Sequence, residues 1–116
     1  MLVHFLKSKI HRIKVTQAEL NYVGSITLDA NLIEAAGMFV GEKVQVVNIN
    51  NGERLETYII EGERGSGTVC LNGPAARKVS VGDLVIVMSY GILEETLARV
   101  YKPIIVFPDH QNKIIG

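Results

Sequence analysis

The sequence predicts a mainly β fold made of two similar halves, and three observations carry that prediction. Short apolar runs, several of them alternating, are separated by turns bearing Gly and Asn, the punctuation of strands rather than of long helices. The segment Val40-Gly41-Glu42-Lys43-Val44-Gln45-Val46 recurs 41 residues later as Val81-Gly82-Asp83-Leu84-Val85-Ile86-Val87. Finally, 116 residues fit one domain, 1–116, and 47% hydrophobic content fills its core without a disulfide or metal staple.

Taken in chain order, Ile10 to Val15 alternates as a half-buried strand, with Ile13 and Val15 facing one way and Arg12 and Lys14 the other. Glu19 to Ser25 reads as a turn, and Ile26 and Leu28 mark a second short strand. Asp29 caps a short helix carrying Leu32, Ile33 and Ala36, stopped by Gly37. Val44 to Ile49 and Arg54 to Ile60 form a hairpin about Asn50-Asn51-Gly52. A polar connection, Glu61 to Gly67, leads to a strand at Thr68 to Leu71, and Pro74 then opens a helical turn. Leu84 to Met88 is a strand, Leu93 to Arg99 a short helix, and Ile104 to Phe107 a last strand before a turn at Pro108 to Asn112.

Within the recurring segment, Gly permits the turn, the acid can bond the turn's backbone, and alternating valines enter a strand. Paired turns of this kind resemble the double-psi β-barrel, in which two interlocked halves close six strands into one barrel. The expected fold is therefore an all-β, six-stranded double-psi barrel with a few short helices.

Composition excludes several function classes. Twelve Lys and Arg balance twelve Asp and Glu, and the sequence pI is 6.8, so no strongly charged partner, nucleic acid above all, is expected. A single Cys suits a reducing compartment, and no apolar run approaches the roughly 18 residues of a membrane span, so a cytoplasmic protein is expected. The start, Met1 to Lys9, lacks a signal peptide's basic region and cleavage site and reads as part of the fold. His4, His11, His110 and Cys70 have no metal-ligand spacing, and Cys70 reads as a small buried hydrophobe. The glycines of Gly62 to Gly67 fit neither common phosphate-binding pattern, and Glu94-Glu95 reads as a solvated helix face.

Other blocks gain meaning together. Lys9-Ile10-His11-Arg12, Tyr22-Val23-Gly24-Ser25, Asn50 through Tyr58, Glu63-Arg64-Gly65-Ser66, Asn72-Gly73-Pro74-Ala75-Ala76 and Val81-Gly82-Asp83 stand in one order across nearly the whole chain. In these blocks the sequence resembles the pyruvoyl-dependent aspartate 1-decarboxylases. The resemblance implies that the chain cuts itself between Gly24 and Ser25, giving a β chain, 1–24, and an α chain, 25–116. Gly24 leaves its carbonyl open to attack by the Ser25 hydroxyl, and the resemblance assigns Thr57 to assist the oxyanion that forms there. Ser25 becomes a covalent pyruvoyl group, which forms a Schiff base with L-aspartate and accepts the electrons left by departing carbon dioxide. Neither pyridoxal phosphate nor metal is implied. A phenol, which titrates at about 10, stays protonated at neutral pH, and the resemblance makes Tyr58 the proton donor. The product would be β-alanine, destined for pantothenate.

For substrate binding the resemblance nominates Arg54 and Lys9 for the two carboxylates, with Thr57 and the loop Asn72, Gly73, Pro74 and Ala75. Family members commonly carry Ala where this chain has Pro74, which removes one N–H. His11 and Tyr22 match positions near the cut, with structural packing as an equal role. Without the resemblance, Thr57 is an ordinary strand threonine, Arg54 an exposed strand residue and Tyr58 a core aromatic. On a regular strand Thr57 faces away from Arg54 and Tyr58, so a bulge, a strand end or a neighbouring subunit must reconcile them. The resemblance also implies a homotetramer with sites between subunits and leaves a maturation factor open. The competing readings are a catalytically silent barrel serving as a binding module, and a pyruvoyl decarboxylase acting on glutamate.

Overall fold

The computed structural model describes residues 1–115 as eight strands, two α-helices and one 3-10 helix. β1 (Leu2–Lys14) extends well before the alternating stretch because residues 2–10 pair with the long β7 (Leu84–Glu94). That pairing also claims Leu93 and Glu94, read from the sequence as helical: they lie opposite Val3 and Leu2, and cross-strand partners override local preference. α2 is accordingly only Glu95–Ala98. β2 (Gln17–Glu19) is short, and β3 (Ser25–Asp29) begins at the Gly-Ser bond.

As expected, Asp29 caps α1 (Ala30–Ala35), accepting the Asn31 N–H at 2.8 Å. It also accepts from Gly65 at 3.0 Å and Gly67 at 2.8 Å, tying the loop at 63–68 to the helix start. β4 (Lys43–Asn48) and β5 (Arg54–Gly62) form the predicted hairpin. β6 (Val69–Asn72) runs into the 3-10 helix Gly73–Lys78 with Pro74 at its start, and β8 (Ile104–Val106) is the last strand.

The strand order is β2-β6-β3-β5-β4-β7-β1-β8. Six strands were expected; β2 and β8 add three residues each at the two ends, on six longer strands. Only Val15 and Thr16 separate β1 from β2, yet these strands stand near opposite ends of the order. The Thr16 N–H donates to the Val69 carbonyl at 2.8 Å, and the Val69 N–H donates to the Thr16 hydroxyl at 2.9 Å. The chain thus carries the sheet across to its far end and closes it into a barrel. Ile10, Ile13, Val15, Ile26, Leu28, Ile59, Leu71, Val44 and Val46 of β4 and Val85 and Val87 of β7 fill the interior, all but sealed from solvent.

The recurring segment behaves as two halves of one device. Gly41 and Gly82 take φ of +88° and +97°, a region open to glycine, and each turn is closed by its acid, Glu42 accepting the Phe39 N–H and Asp83 the Ser80 N–H, both at 2.9 Å. Each acid is also braced from the other half. Ser89 donates its hydroxyl to Glu42, and Asn48 donates to Asp83 at 2.8 Å. Ser89 and Asn48 are themselves 41 residues apart, so the same position in each half holds the other half's turn.

Candidate functional site

The Gly24–Ser25 peptide lies where the turn after β2 enters β3. Ser25 is completely buried, its hydroxyl donating to the Val23 carbonyl at 2.9 Å and accepting from Asn72 Nδ2 at 2.9 Å. This contact follows from register: β3 pairs antiparallel with β6, and Ser25 stands opposite Asn72. Asn72 also gives its second amide proton to Thr27 Oγ1 at 2.9 Å, while its Oδ1 lies 3.2 Å from Cys70 Sγ.

Gly73 closes the other side of the bond. It holds φ +66°, and a Cβ there would lie 2.8 Å from Gly24 Cα and 2.9 Å from both Gly24 N and the Tyr22 carbonyl oxygen. Only a residue without a side chain can press its backbone so close to the peptide. Gly24 is different, since its added Cβ would meet only Pro74 Cδ, at an ordinary 3.7 Å. Packing therefore leaves room for a side chain at Gly24.

β3 runs parallel to β5 with Ile26 opposite Ile59. Ser25 and Tyr58 each lie one residue before that first pair, on the two neighbouring strands. Ser25 and Tyr58 share the face opposite the core-facing Ile26 and Ile59. Tyr58 is 38% exposed, so it is not the core aromatic that composition alone suggested. β5 also pairs with β4 in unbroken register from Tyr58 to Arg54, so no bulge turns Thr57 toward the Arg54 face.

A cleft of 310 Å³ opens on this face, lined by Tyr22, Thr27, Cys70 and Asn72 among others. Its charged lining residues are Glu19 and Glu61, and no Lys or Arg lines it among the described residues. The two nominated cations stand elsewhere. Arg54 donates to Gln45 Oε1 at 2.9 Å, leaning over β4 and away from β3. Lys9 lies in the cross-strand row Lys9, Met88, Gln45, Glu56, three strand spacings or about 14 Å from β5. A larger cleft of 510 Å³ lies by that row, lined by His4, Lys43, Gln45, Glu56 and Tyr90 among others, and contains none of the nominated residues. Asn72 and Gly73 are thus brought to the Gly24–Ser25 bond within one chain, Thr57 and Tyr58 lie on the neighbouring β5, and Lys9 and Arg54 are not brought to it.

His11 sits beside a bulge in β1, where the register shifts and Arg12 takes φ +60°. Its ring meets Phe107 edge-on at 5.4 Å, and its Nδ1 is buried without a hydrogen-bond partner among the described residues. Burial, then the charges of Lys9 and Arg12, push its pKa below the usual value. Tyr22 is more than half exposed at the cleft's rim, while Pro74 is exposed and Ala75 half-buried behind Gly73. Burial and the nearby Glu19 carboxylate push the Cys70 thiol up, which keeps it protonated at neutral pH. Among the described residues no group of His, Cys, Asp or Glu could hold a metal ion, and no helix is long and apolar enough to cross a membrane. Sequence reasoning did not single out Thr27 at all and set Cys70 aside, because the pairing of β3 with β6 was not readable from either strand.

The sequence pattern of the family described as aspartate decarboxylase matches residues 1–115. The chain is 60% identical over 115 residues to a Cytophaga hutchinsonii protein named aspartate 1-decarboxylase, covering 99% of this chain and 100% of that one. It is 64% identical to the aspartate 1-decarboxylase of Caldicellulosiruptor saccharolyticus, covering 99% and 90%. Among solved structures, the rationally designed mkDPBB_sym_86 protein, a double-psi barrel, superposes with a TM-score of 0.50 at 22% identity over 68% of this chain and 91% of that one. That likeness establishes the double-psi barrel fold.

Proposed function

The chain belongs to the aspartate decarboxylase family, and from that premise we propose that it matures by cutting its own Gly24–Ser25 bond and then converts L-aspartate to β-alanine and carbon dioxide, feeding pantothenate synthesis. The observation that carries this reading is the Ser25 hydroxyl, buried and held between Val23 O and Asn72 Nδ2, each at 2.9 Å, against a peptide that Gly73 backs directly.

In the first step Ser25 Oγ bonds to the Gly24 carbonyl carbon, the C–N bond breaks, and the hydroxyl proton passes to the Ser25 nitrogen, converting amide to ester. Asn72 orients Oγ by donating to its lone pair, and Thr57, on the adjoining strand β5, donates to the oxyanion. Loss of the Ser25 Cα proton then expels the Gly24 carboxylate from Cβ. The dehydroalanine so formed moves a proton from nitrogen to Cβ and becomes an imine; water adds to it, ammonia leaves, and chains 1–24 and 25–116 result.

The pyruvoyl group so formed supplies an electron-accepting carbonyl without pyridoxal phosphate or a metal. Tyr58, adjoining position 25 on the same face, donates the proton that replaces carbon dioxide. Arg54 holds one substrate carboxylate by a bidentate fork and Lys9 the other by a point charge. Gly73 and Ala75 offer backbone N–H groups, and Pro74 offers none. His11 and Tyr22 support the site from its margins.

Because Arg54 leans away from β3 and the cleft beside Ser25 carries only acidic charge, the cations reach the substrate from a neighbouring copy in a homotetramer. Carbon dioxide release from labelled L-aspartate, with L-glutamate and a Ser25→Ala chain alongside, tests the proposal. Aspartate turnover should exceed glutamate turnover by about 10- to 200-fold, the span one methylene commands, and Ser25→Ala should be inert. Equal rates with glutamate would change the substrate, and activity in Ser25→Ala would remove the pyruvoyl chemistry.

A further inference from the structure

The Asn72 side chain has more partners than its contact with Ser25 requires. It is 2% exposed, and its amide is engaged at every end: one Nδ2 proton on Ser25 Oγ, the other on Thr27 Oγ1, both at 2.9 Å, and Oδ1 3.2 Å from Cys70 Sγ. The terminal torsion of Asn is broad and has no sharp rotamer of its own. What fixes the plane of this amide is therefore the set of groups around it. The Val23 carbonyl, which can only accept, takes the Ser25 proton, so Ser25 presents a lone pair that needs a donor. Thr27 accepts the second N–H and Cys70 faces the oxygen with a protonated thiol, so both stabilise the orientation that aims Nδ2 at Ser25.

We propose that Thr27 and Cys70 are positioning residues for self-cleavage, acting through Asn72 to hold the Ser25 hydroxyl against the Gly24 carbonyl. The inference rests on the self-cleavage reading above. It places two functions on side chains that touch neither the scissile carbonyl nor the Ser25 oxygen. Thr27 is two residues beyond Ser25 on the same face of β3, and Cys70 two residues before Asn72 on the same face of β6. Each strand thereby supplies one reacting or contacting residue and one brace. Near-attack geometry is steep: a misplacement of about 1 Å costs about a hundredfold in rate.

The test follows cutting of newly made chain in a pulse-labelled cell-free reaction, by denaturing mass spectrometry, with the thermal midpoint of each purified variant measured beside it. Thr27→Val keeps shape and loses the hydroxyl, and should slow cutting by about tenfold or more, while Thr27→Ser should cut nearly as wild type. Cys70→Ala should slow cutting by a smaller factor, since a thiol is a weak donor, and Cys70→Ser should restore it. Thr27→Val and Cys70→Ala cutting at the wild-type rate would overturn the inference and leave self-cleavage standing. So would Thr27→Ser and Cys70→Ser slowing as much as Thr27→Val and Cys70→Ala, which would assign the effect to packing. A wild-type chain that never cuts would overturn the self-cleavage reading and this inference with it.

Discussion

At the scale of single residues, the two glycines beside the scissile bond differ in what constrains them. Gly73 is held to glycine by φ +66° and by backbone atoms under 3 Å from any Cβ, whereas Gly24 has a single contact at 3.7 Å. Gly73→Ala should therefore lower the urea-unfolding free energy by about 1–3 kcal/mol or more through backbone strain alone, or prevent folding outright. Gly24→Ala should fold with a change below about 1 kcal/mol. Equal losses in both would contradict the account. Tyr58→Phe separates chemistry from maturation: cutting at Gly24 should proceed normally, while aspartate turnover falls by about 10²–10⁴-fold with the proton donor removed. The sequence made Gly24 and Ser25 legible through their blocks. It could not make Thr27 or Cys70 legible, because their importance lies in which strand faces β3, and neither residue alters a periodicity.

At the scale of elements, the hairpin of β4 and β5, the start of β3 and the Asp29 cap were readable because turn chemistry and capping are local. β8 was readable too, at Ile104 to Phe107, but β2 was not, since three exposed residues cannot display an alternation. The recurring turn was readable as two similar pieces, yet nothing in the repeat revealed that each acid is held from the opposite half by Ser89 and Asn48. Those braces carry a pH signature. Burial works to raise the Glu42 pKa, but the Ser89 hydroxyl, the Lys7 ammonium and the Phe39 N–H together hold it below its ordinary 4.5. The Asn48 amide and the Ser80 N–H likewise hold Asp83 below 3.8. A carboxyl depressed in the folded state contributes stability in full above its unfolded pKa and loses it as pH falls through the folded value. The urea midpoint should thus be level near neutrality and decline below about pH 4.5. Glu42→Gln with Asp83→Asn should lower the neutral midpoint and flatten that decline. A double variant whose curve merely runs parallel to wild type would show that other groups are responsible.

At the scale of the whole molecule, one barrel brings Asn72 and Gly73 to the Gly24–Ser25 bond but keeps Lys9 and Arg54, the cations proposed for the substrate, away from it. Lys9 and Arg54 occupy the outer face across β1, β7, β4 and β5, while Ser25 sits buried on β3, and the cleft lined by its partner Asn72 carries acidic Glu19 and Glu61. Phe39, Val81 and Phe107, each more than 60% exposed, leave apolar surface that a lone barrel does not cover. The mature protein should sediment as a tetramer, and Arg54→Ala should abolish aspartate turnover without affecting cutting. A stable, active monomer would contradict a site shared between copies. The central claim remains that this chain makes its own catalytic group from Ser25. The intact mass of the denatured protein, taken before and after prolonged warm incubation, tests it most directly. The account predicts two species that divide between Gly24 and Ser25, the larger lighter by one ammonia than a chain starting with serine. One full-length mass that never changes, in a protein that still releases carbon dioxide from aspartate, would contradict it.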